Sequence, residues 1–169
     1  MIYTYSHLLD YYPSSMKDCS AKQTENRETV RNFMKGGISA ELLQHIAIKA
    51  NDLVRENEID VACFIPGTSG SQTVLRFGEI AEHLSSILPC SVYLDGVTLQ
   101  YDTDLITHIR SFQCNEKRFS GKRVLLIGDI YTSGASLQET GDLLIQNGAK
   151  SVYGFYVAKV IQAGKDIEI

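Results

Sequence analysis

The fold is decided by the stretch VLLIGDIYTSGASL, which runs from Val124 to Leu137. It opens with four consecutive apolar residues, Val124–Ile127, a run that is typical of a fully buried strand. A loop of small residues follows from Gly128 to Ala135, and a helix is predicted beyond it. Successive backbone N–H groups of such a loop converge at the helix N-terminus and favour a bound phosphate. The stretch therefore predicts a strand, a phosphate-binding loop and a helix.

Apolar strands alternate with amphipathic helices along the rest of the chain. One helix is predicted to begin at an N-cap at Ser39, a second to stop at Pro89, and a third to end near Gly148. The predicted strands cover residues 59–65, 91–94, 122–127 and 151–160. This alternation indicates an α/β fold whose parallel sheet is covered by helices on both faces. Ligands bind such sheets at the carboxyl ends of the strands, where loops rich in glycine and serine are expected at 66–71 and 128–136.

Two segments have a less regular pattern. Residues 1–38 show no clear helical or strand period and are expected to be irregular. Residues 95–121 form a polar excursion, in which a short helix is predicted near 103–109. No linker, repeat or low-complexity block divides the chain, so residues 1–169 are expected to form a single domain.

Composition narrows the class of function. The chain has a net charge of −4 and a pI near 5.5, which argues against a nucleic-acid binder that relies on a basic surface. No apolar run approaches the ~18 residues of a membrane span, and no signal-peptide pattern opens the chain. The four cysteines have neither Cys-x-x-Cys nor zinc-finger spacing. Reduced thiols and a cytoplasmic location are therefore expected.

The stretch around Asp129 resembles the phosphoribosyl pyrophosphate (PRPP) signature of the type I phosphoribosyltransferases. In that signature an apolar strand, a pair of acids and a pair of apolar residues precede Thr-Thr-Gly-x-Thr or a serine-substituted version of it. Here one acid, Asp129, is followed by Ile130 and Tyr131 and then by Thr-Ser-Gly-Ala-Ser at 132–136. The resemblance implies transfer of the 5-phosphoribosyl group from PRPP to a nitrogenous base or amine, with release of pyrophosphate and with Mg²⁺ bound to the diphosphate.

The resemblance also implies an architecture. It predicts a parallel-sheet, Rossmann-like fold with helices on both faces. Residues 1–38 would form its hood segment, and residues 95–121 would form its flexible lid. A homodimer is expected by analogy with the family.

A role for each site residue follows from the same resemblance. Asp129 would bind the ribose and is the expected catalytic residue. The 5′-phosphate would be held by Thr132, Ser133, Gly134, Ala135 and Ser136. The pyrophosphate would be held by Gly67, Thr68, Ser69, Gly70 and Arg76. The base would lie against Ile130 and Tyr131, and no side chain is expected to bind a metal, because Mg²⁺ would arrive with PRPP.

Two other enzyme classes fit less well. The segment Gly67–Ser71 ends in serine, where the nucleophile elbow Gly-x-Ser-x-Gly ends in glycine, and the sequence places no base beside it. No Gly-x-Gly-x-x-Gly follows the first predicted strand, which argues against a dinucleotide-binding fold.

Three features refine the resemblance. Segments 31–37 and 75–81 are similar to the competence-protein (ComF-type) branch, although the zinc module that begins many such proteins is absent. Gly128 stands where the family has the first of two acids that contact the ribose hydroxyls. Losing one such contact would weaken PRPP binding roughly tenfold or more. Two alternatives follow, a catalytically degenerate PRPP- or nucleotide-binding regulatory module and a competence-linked partner protein.

Overall fold

A central parallel sheet organises the molecule, of which the computed structural model describes residues 2–101 and 110–161. The strands are β1 (Tyr5–Tyr11), β2 (Val61–Phe64), β3 (Ser91–Tyr93), β4 (Val97–Tyr101), β5 (Arg110–Cys114), β6 (Arg123–Tyr131) and β7 (Ser151–Val160). Five of them form one sheet in the order β1-β7-β6-β2-β3, in which each neighbouring pair is parallel. β4 and β5 form a separate antiparallel ribbon.

Helices connect the strands. They are α1 (Ala21–Met34), α2 (Ala40–Glu56), α3 (Gly70–Ile87), α4 (Glu116–Phe119) and α5 (Ala135–Gln146). The predicted N-cap at Ser39 is confirmed, because its hydroxyl accepts a hydrogen bond from Leu42 N at 3.1 Å. Within the described ranges, no helix combines the length and the apolar character that are needed to cross a bilayer.

The two faces of β6 support two apolar cores, because successive side chains of a strand point to opposite faces. Leu125 and Ile127 pack on one face with residues of α2 and α3, such as Ile46 and Phe77. On the other face lies a second cluster: Val124, Leu126, Phe119, Leu137 and Leu144. Each buried side chain of this kind stabilises the fold by about 1.5–3 kcal/mol. The expected α/β fold with helices on both faces is confirmed.

The N-terminal segment differs from the expectation. Residues 1–38 were expected to be irregular, but they contain β1 and the 14-residue helix α1. β1 is an edge strand paired with β7 alone and is only half-buried along its length, so its sequence lacks a continuous apolar run. α1 buries only Val30 and Phe33, and its polar surface hides the helical period. The sequence therefore gave too weak an apolar signal for either element.

The central strand is longer than the apolar run suggests. β6 continues through Gly128 to Tyr131, because β7 pairs with it as far as Lys159. The small-residue loop is therefore shorter than predicted, and α5 begins after an N-cap at Gly134. Within the predicted lid, β4, β5 and α4 are ordered secondary structure, whereas the helix predicted near 103–109 lies outside the described residues.

Candidate functional site

The two loops singled out by the sequence lie at the same edge of the sheet. β2 and β6 are parallel neighbours, with Phe64 paired to Ile127, so the loops that follow them emerge side by side. From β2 the chain continues towards β3 at one edge, and from β6 it continues towards β7 on the other side. Such a point, where connections leave in opposite directions, is where open α/β sheets bind ligands.

The loop after β6 presents backbone donors to solvent. Gly134 has a φ of +83°, a left-handed conformation that a side chain disfavours, and it is the N-cap of the 12-residue helix α5. Thr132 and Ser133 are exposed, and Ser133 Oγ accepts a hydrogen bond from Ala135 N at 3.3 Å. Ser136 lies in the first turn of the helix, where its carbonyl accepts a hydrogen bond from Thr140. Exposed hydroxyls and helix N-terminal N–H groups suit an anion.

Asp129 is held between the strand and a helix. Its Oδ1 accepts a hydrogen bond from the backbone N–H of Ile130 at 2.6 Å. Its Oδ2 accepts one from Arg76, whose Nη1 lies 2.7 Å away. Both side chains are mostly buried, with 19% of Arg76 and 28% of Asp129 exposed. The structure thus brings the predicted pyrophosphate arginine onto the predicted ribose acid.

Gly128 packs directly under an aromatic ring. A Cβ placed on it would lie 2.5 Å from Cε1 of Tyr156, which faces it from β7. Tyr156 lies in the same buried apolar cluster as Leu137, in the first turn of α5. Burial raises the pKa of Tyr156, and the nearby Asp129 carboxylate adds to the rise, so the phenol stays protonated. Tyr156 therefore fills the space beside Gly128 and supports the start of α5.

Two more tyrosines extend this aromatic surface. Tyr131 stacks on Tyr5 with ring centroids 4.1 Å apart and meets Tyr156 edge-on at 5.2 Å. The Tyr131 hydroxyl lies against the loop after β6, 2.6 Å from where a Cβ of Gly134 would stand. Lys159 places its ammonium 5.8–5.9 Å from the Tyr5 and Tyr131 ring centroids, within cation–π range. Tyr131, predicted to face the base, is thus part of a rigid wall beside the loop.

Several residues of this wall were missed by sequence reasoning. Tyr5, Tyr156 and Lys159 come from the two strands on one side of β6, and β1 had not been predicted at all. Ile130, the other predicted base-pocket residue, is half-buried in β6 and donates its N–H to Asp129. The aromatic residues at one end of β7 were visible in the sequence, but their alignment with Gly128 required the strand register.

The loop after β2 satisfies its own polar groups. Ser69 caps α3 by accepting a hydrogen bond from Gln72 N at 3.2 Å, and Thr73 Oγ1 accepts one from Gly67 N at 2.9 Å. The Thr68 hydroxyl donates to Gln72 Oε1 at 2.7 Å. These contacts fix a helix cap and leave fewer free donors than the loop after β6 presents.

A cavity of about 360 Å³ borders this loop. Its apolar lining comes from Pro66, Val74, Leu94, Val97 and Leu99, and Gly67, Ser69 and Gly70 also border it. Val74 and Arg76 are two positions apart on α3 and so point in widely different directions. The cavity is therefore separate from the Arg76–Asp129 pair.

The ribbon contacts the loop after β2. The hydroxyl of Tyr101, at the end of β4, donates a hydrogen bond to the Thr68 carbonyl at 2.9 Å. Arg118, in α4, pairs with Asp95 at 3.0 Å and lies 4.4 Å from the ring centroid of Tyr93. The stem of the predicted lid thus reaches the same edge of the sheet as both loops.

Comparison with solved structures supports the fold. A purine phosphoribosyltransferase from Pyrococcus horikoshii OT3 superposes with a TM-score of 0.51 at 14% identity, over 78% of this chain and 94% of that chain. A hypothetical protein from Neisseria gonorrhoeae with bound ppGpp gives a TM-score of 0.46 at 13% identity, over 74% and 69%. An adenine phosphoribosyltransferase gives 0.47 at 19% identity, over 72% and 71%. The likeness to the first of these structures, at 14% identity, shows a common fold and no more.

Sequence comparison identifies the family. No curated protein sequence matches the chain significantly. The sequence profile of the phosphoribosyl transferase domain, however, matches residues 39–166, which is well over half of the chain. This range contains both loops, the Arg76–Asp129 pair and the whole strand–loop–helix segment from β6 to α5. The chain therefore belongs to the phosphoribosyltransferase domain family.

Proposed function

We propose that the protein is a phosphoribosyltransferase that transfers the 5-phosphoribosyl group of PRPP to a nitrogenous base or amine and releases pyrophosphate. The observation that carries the proposal is the position of Asp129. It stands at the carboxyl edge of the sheet, a few residues before an exposed helix N-terminus. An acid that could accept sugar hydroxyls and a loop that could cradle a phosphate therefore lie on one strand–loop–helix segment.

Each part of PRPP has a proposed partner. The 5′-phosphate binds the loop and helix start formed by Thr132, Ser133, Gly134, Ala135 and Ser136. The ribose binds Asp129, and the acceptor base lies beside Ile130 and Tyr131. The diphosphate lies near Gly67, Thr68, Ser69 and Gly70, with Arg76 beside it because a guanidinium suits phosphate oxygens. Two observations support this assignment. Both loops lie at the same edge of the sheet, and a 2.7 Å ion pair joins Arg76 of α3 to Asp129 of β6.

The protein's main contribution to this reaction is to position the reactants. A nitrogen lone pair forms the new bond to C1 of the ribose while the bond from C1 to the diphosphate oxygen breaks. Positive charge spreads over the sugar ring in between, and in this proposal the Asp129 carboxylate, bound to the ribose, stabilises it. Holding the phosphate and the sugar in one orientation supplies much of the remaining acceleration.

Magnesium enters this proposal as part of the substrate. Within residues 2–101 and 110–161, no three histidine, cysteine or acidic side chains cluster so that they could hold a metal ion. Asp129 is a lone acid that already accepts two hydrogen bonds. The side chains at the site therefore do not fit a resident ion, and Mg²⁺ would be carried in on the diphosphate of PRPP.

Assignment to the ComF-type branch is a finer part of the proposal. The two segments that resemble this branch, 31–37 and 75–81, pack against each other, with the rings of Phe33 and Phe77 6.3 Å apart. Their contact makes one structural unit at the start of the domain. A cytoplasmic, homodimeric protein of one domain, with residues 1–38 as hood and 95–121 as lid, completes the proposal.

A second candidate function is a PRPP-binding or nucleotide-binding module without turnover. Gly128 and its contact with Tyr156 favour it, since the space for a second acid is filled. The Arg76–Asp129 pair also favours it, because the guanidinium already neutralises the sugar-binding acid. A competence-linked partner protein, the third alternative, predicts indifference to PRPP.

Pyrophosphate release separates these candidates. The protein is incubated with PRPP, Mg²⁺ and a panel of purines, pyrimidines and simple amines, and the pyrophosphate is measured with a coupled assay. Release that depends on one acceptor, and that Asp129→Ala abolishes, supports transfer. Asp52→Ala is the matched control, because Asp52 is an exposed acid on α2 away from the site. Binding of PRPP without release with any acceptor would support the second candidate instead.

A further inference from the structure

The cavity of about 360 Å³ that borders the loop after β2 and the strand β4 has no part in the proposed function. We propose that it is a binding site for a small, uncharged molecule with fused rings, and that an occupied cavity opposes the binding of a diphosphate to the adjacent loop. The first part stands on the cavity alone. The second part rests on the proposed function, which assigns the diphosphate to that loop.

The size and the lining of the cavity suit an apolar ring system. Pro66, Leu94, Val97 and Leu99 supply apolar walls, and Val74, which is 59% exposed, stands at the mouth. Sites that bind small molecules have volumes of about 300–1,000 Å³ and mostly apolar linings. Because an apolar cavity of about 150 Å³ binds one benzene ring, this cavity has room for two fused rings.

The charge of the ligand follows from polar side chains on the lining that are already paired. The Thr73 hydroxyl donates to the Ser69 carbonyl at 3.1 Å and accepts a hydrogen bond from Gly67 N at 2.9 Å. Asp95 forms an ion pair with Arg118 at 3.0 Å. Among the described residues that border the cavity, none is a lysine, an arginine or a histidine. A charged ligand would therefore lose its hydration without gaining a partner, whereas an uncharged one would not.

One wall of the cavity is the loop to which the diphosphate is assigned. Gly67, Ser69 and Thr73 all border the cavity, and the two hydrogen bonds of the Thr73 hydroxyl join them. The Tyr101 hydroxyl, at the end of β4, donates a hydrogen bond to the Thr68 carbonyl at 2.9 Å. A ligand that packs against this arrangement stabilises it.

A diphosphate favours a different arrangement of the same loop. To reach the N–H of Gly67, it must replace the hydrogen bond that Thr73 now accepts. A ligand shifts an equilibrium by its difference in affinity for the two states, and the effect of one ligand on another is reciprocal. The cavity ligand and the diphosphate should therefore weaken each other's binding by the same factor.

The first test uses two probes that share a naphthalene ring: 2-naphthalenemethanol, which is uncharged, and 2-naphthoate, which is an anion at neutral pH. Each is titrated into the full-length protein while NMR follows the backbone amides of Gly67, Gly70, Val74 and Thr98. The alcohol should bind saturably and shift these amides, and the carboxylate should bind roughly tenfold more weakly or not at all. No saturation by the alcohol at millimolar concentration, equal affinity of the two probes, or shifts confined to other amides would overturn the proposed site.

A substitution at the mouth of the cavity tests the location independently. Val74→Asp puts a carboxylate on the apolar lining and should weaken binding of the alcohol roughly tenfold. Ile48→Asp is the matched control, because Ile48 is similarly exposed, at 55%, but lies on α2 outside the lining. Unchanged affinity in Val74→Asp would overturn the location. Should that variant fail to fold, the amide shifts of the unaltered protein locate the ligand by themselves.

The second test measures the opposition between the two ligands. Calorimetry gives the dissociation constant of magnesium pyrophosphate with and without saturating 2-naphthalenemethanol. Pyrophosphate should bind at least roughly fivefold more weakly when the cavity is occupied. Equal affinities would overturn the opposition and leave the diphosphate assignment intact. No binding of pyrophosphate to the unaltered protein would overturn the diphosphate assignment and the opposition together, while the first test still decides whether the cavity is a binding site.

Discussion

The loops after β6 and β2 lie side by side, yet they differ in how the helices that follow them are capped. The loop after β6 exposes Thr132 and Ser133 and begins α5 with a glycine that has no capping side chain. The loop after β2 turns its hydroxyls onto its own backbone, with Ser69 capping α3 and Thr73 holding Gly67. One loop is thus prepared for an anion before any ligand arrives. Under the proposed function, the other loop would have to exchange internal hydrogen bonds for contacts with a diphosphate.

The largest expected effect on ligand affinity comes from replacing a glycine in the loop after β6, and a glycine in the loop after β2 serves as the comparison. Gly134→Ala puts a Cβ at a φ of +83° and 2.6 Å from the Tyr131 hydroxyl, and such strain costs about 1–3 kcal/mol. Ribose 5-phosphate affinity should fall roughly tenfold, as measured by calorimetry. Gly70→Ala is the matched control in the other loop, because a Cβ there meets nothing within 4 Å. Similar affinities in the two variants would contradict the assignment of the phosphate to the loop after β6.

Breaking the Arg76–Asp129 ion pair should have the next largest effect. Arg76→Ala leaves the partly buried Asp129 carboxylate without its charged donor and should lower the free energy of unfolding by about 1–2 kcal/mol. Arg31→Ala removes the more exposed pair with Glu28 and should cost less than about 0.5 kcal/mol. Urea denaturation of both variants measures the difference. Equal costs would mean that the Arg76–Asp129 pair is no stronger than a surface contact.

A smaller effect is expected at the helix cap after β2. Ser69→Ala removes the cap of α3 and should lower the free energy of unfolding by about 1 kcal/mol. Affinity for ribose 5-phosphate should stay unchanged, because the proposed function assigns the 5′-phosphate to the other loop. Ser39→Ala, which removes the cap of α2, is the matched control for stability. A loss of sugar phosphate affinity in Ser69→Ala alone would contradict the assignment of the 5′-phosphate to the loop after β6.

The smallest effect concerns the amino ends of the same two strands. Arg123 donates hydrogen bonds to Asp60 through its backbone N–H at 2.8 Å and its side chain at 3.2 Å, which lowers the pKa of Asp60. Because the folded pKa lies below the unfolded one, this stabilisation is present at neutral pH and is lost as the pH falls through the folded value.

The test of this pH dependence is an unfolding series. Asp60→Asn should be slightly less stable than the unaltered protein at neutral pH, and the difference should begin to shrink as the pH falls below the ordinary Asp pKa of 3.8 and vanish below the lower folded value. The solvent-exposed part of the pair keeps the difference small. Chemical denaturation across this pH range measures it, and parallel stability curves would show that Asp60 does not contribute in this way.

The part of the candidate site whose residues are contiguous along the chain could be predicted from the sequence. The strand, the acid and the small-residue loop between residues 124 and 137 are contiguous, so their hydrophobic pattern and composition predicted the fold class and a tight turn that leads into a helix. The helix cap at Ser39 and the strand at 151–160 were predicted for the same reason. Short-range patterns are enough where each element buries a continuous apolar run.

The parts that were missed depend on pairing across the sheet. Nothing in the sequence shows that Tyr156 faces Gly128, because that contact requires the register between β6 and β7. β1 was missed because an edge strand is half-buried and carries polar residues. Arg76 and Asp129 are 53 positions apart, and their pairing required the orientation of α3 over the sheet. The sequence showed that Gly128 stands where the family has an acid. The structure adds that the ring of Tyr156 occupies the space beside it.

The central claim, that Asp129 and the loop after β6 bind PRPP, is tested most directly by calorimetric titration of PRPP with Mg²⁺. The unaltered protein should bind, whereas Asp129→Ala should bind at least roughly tenfold more weakly. The melting temperature of both proteins in buffer is recorded alongside, so that a loss of affinity can be separated from a loss of fold. Equal PRPP affinity in the two proteins, or no binding to the unaltered protein at millimolar PRPP, would contradict the account.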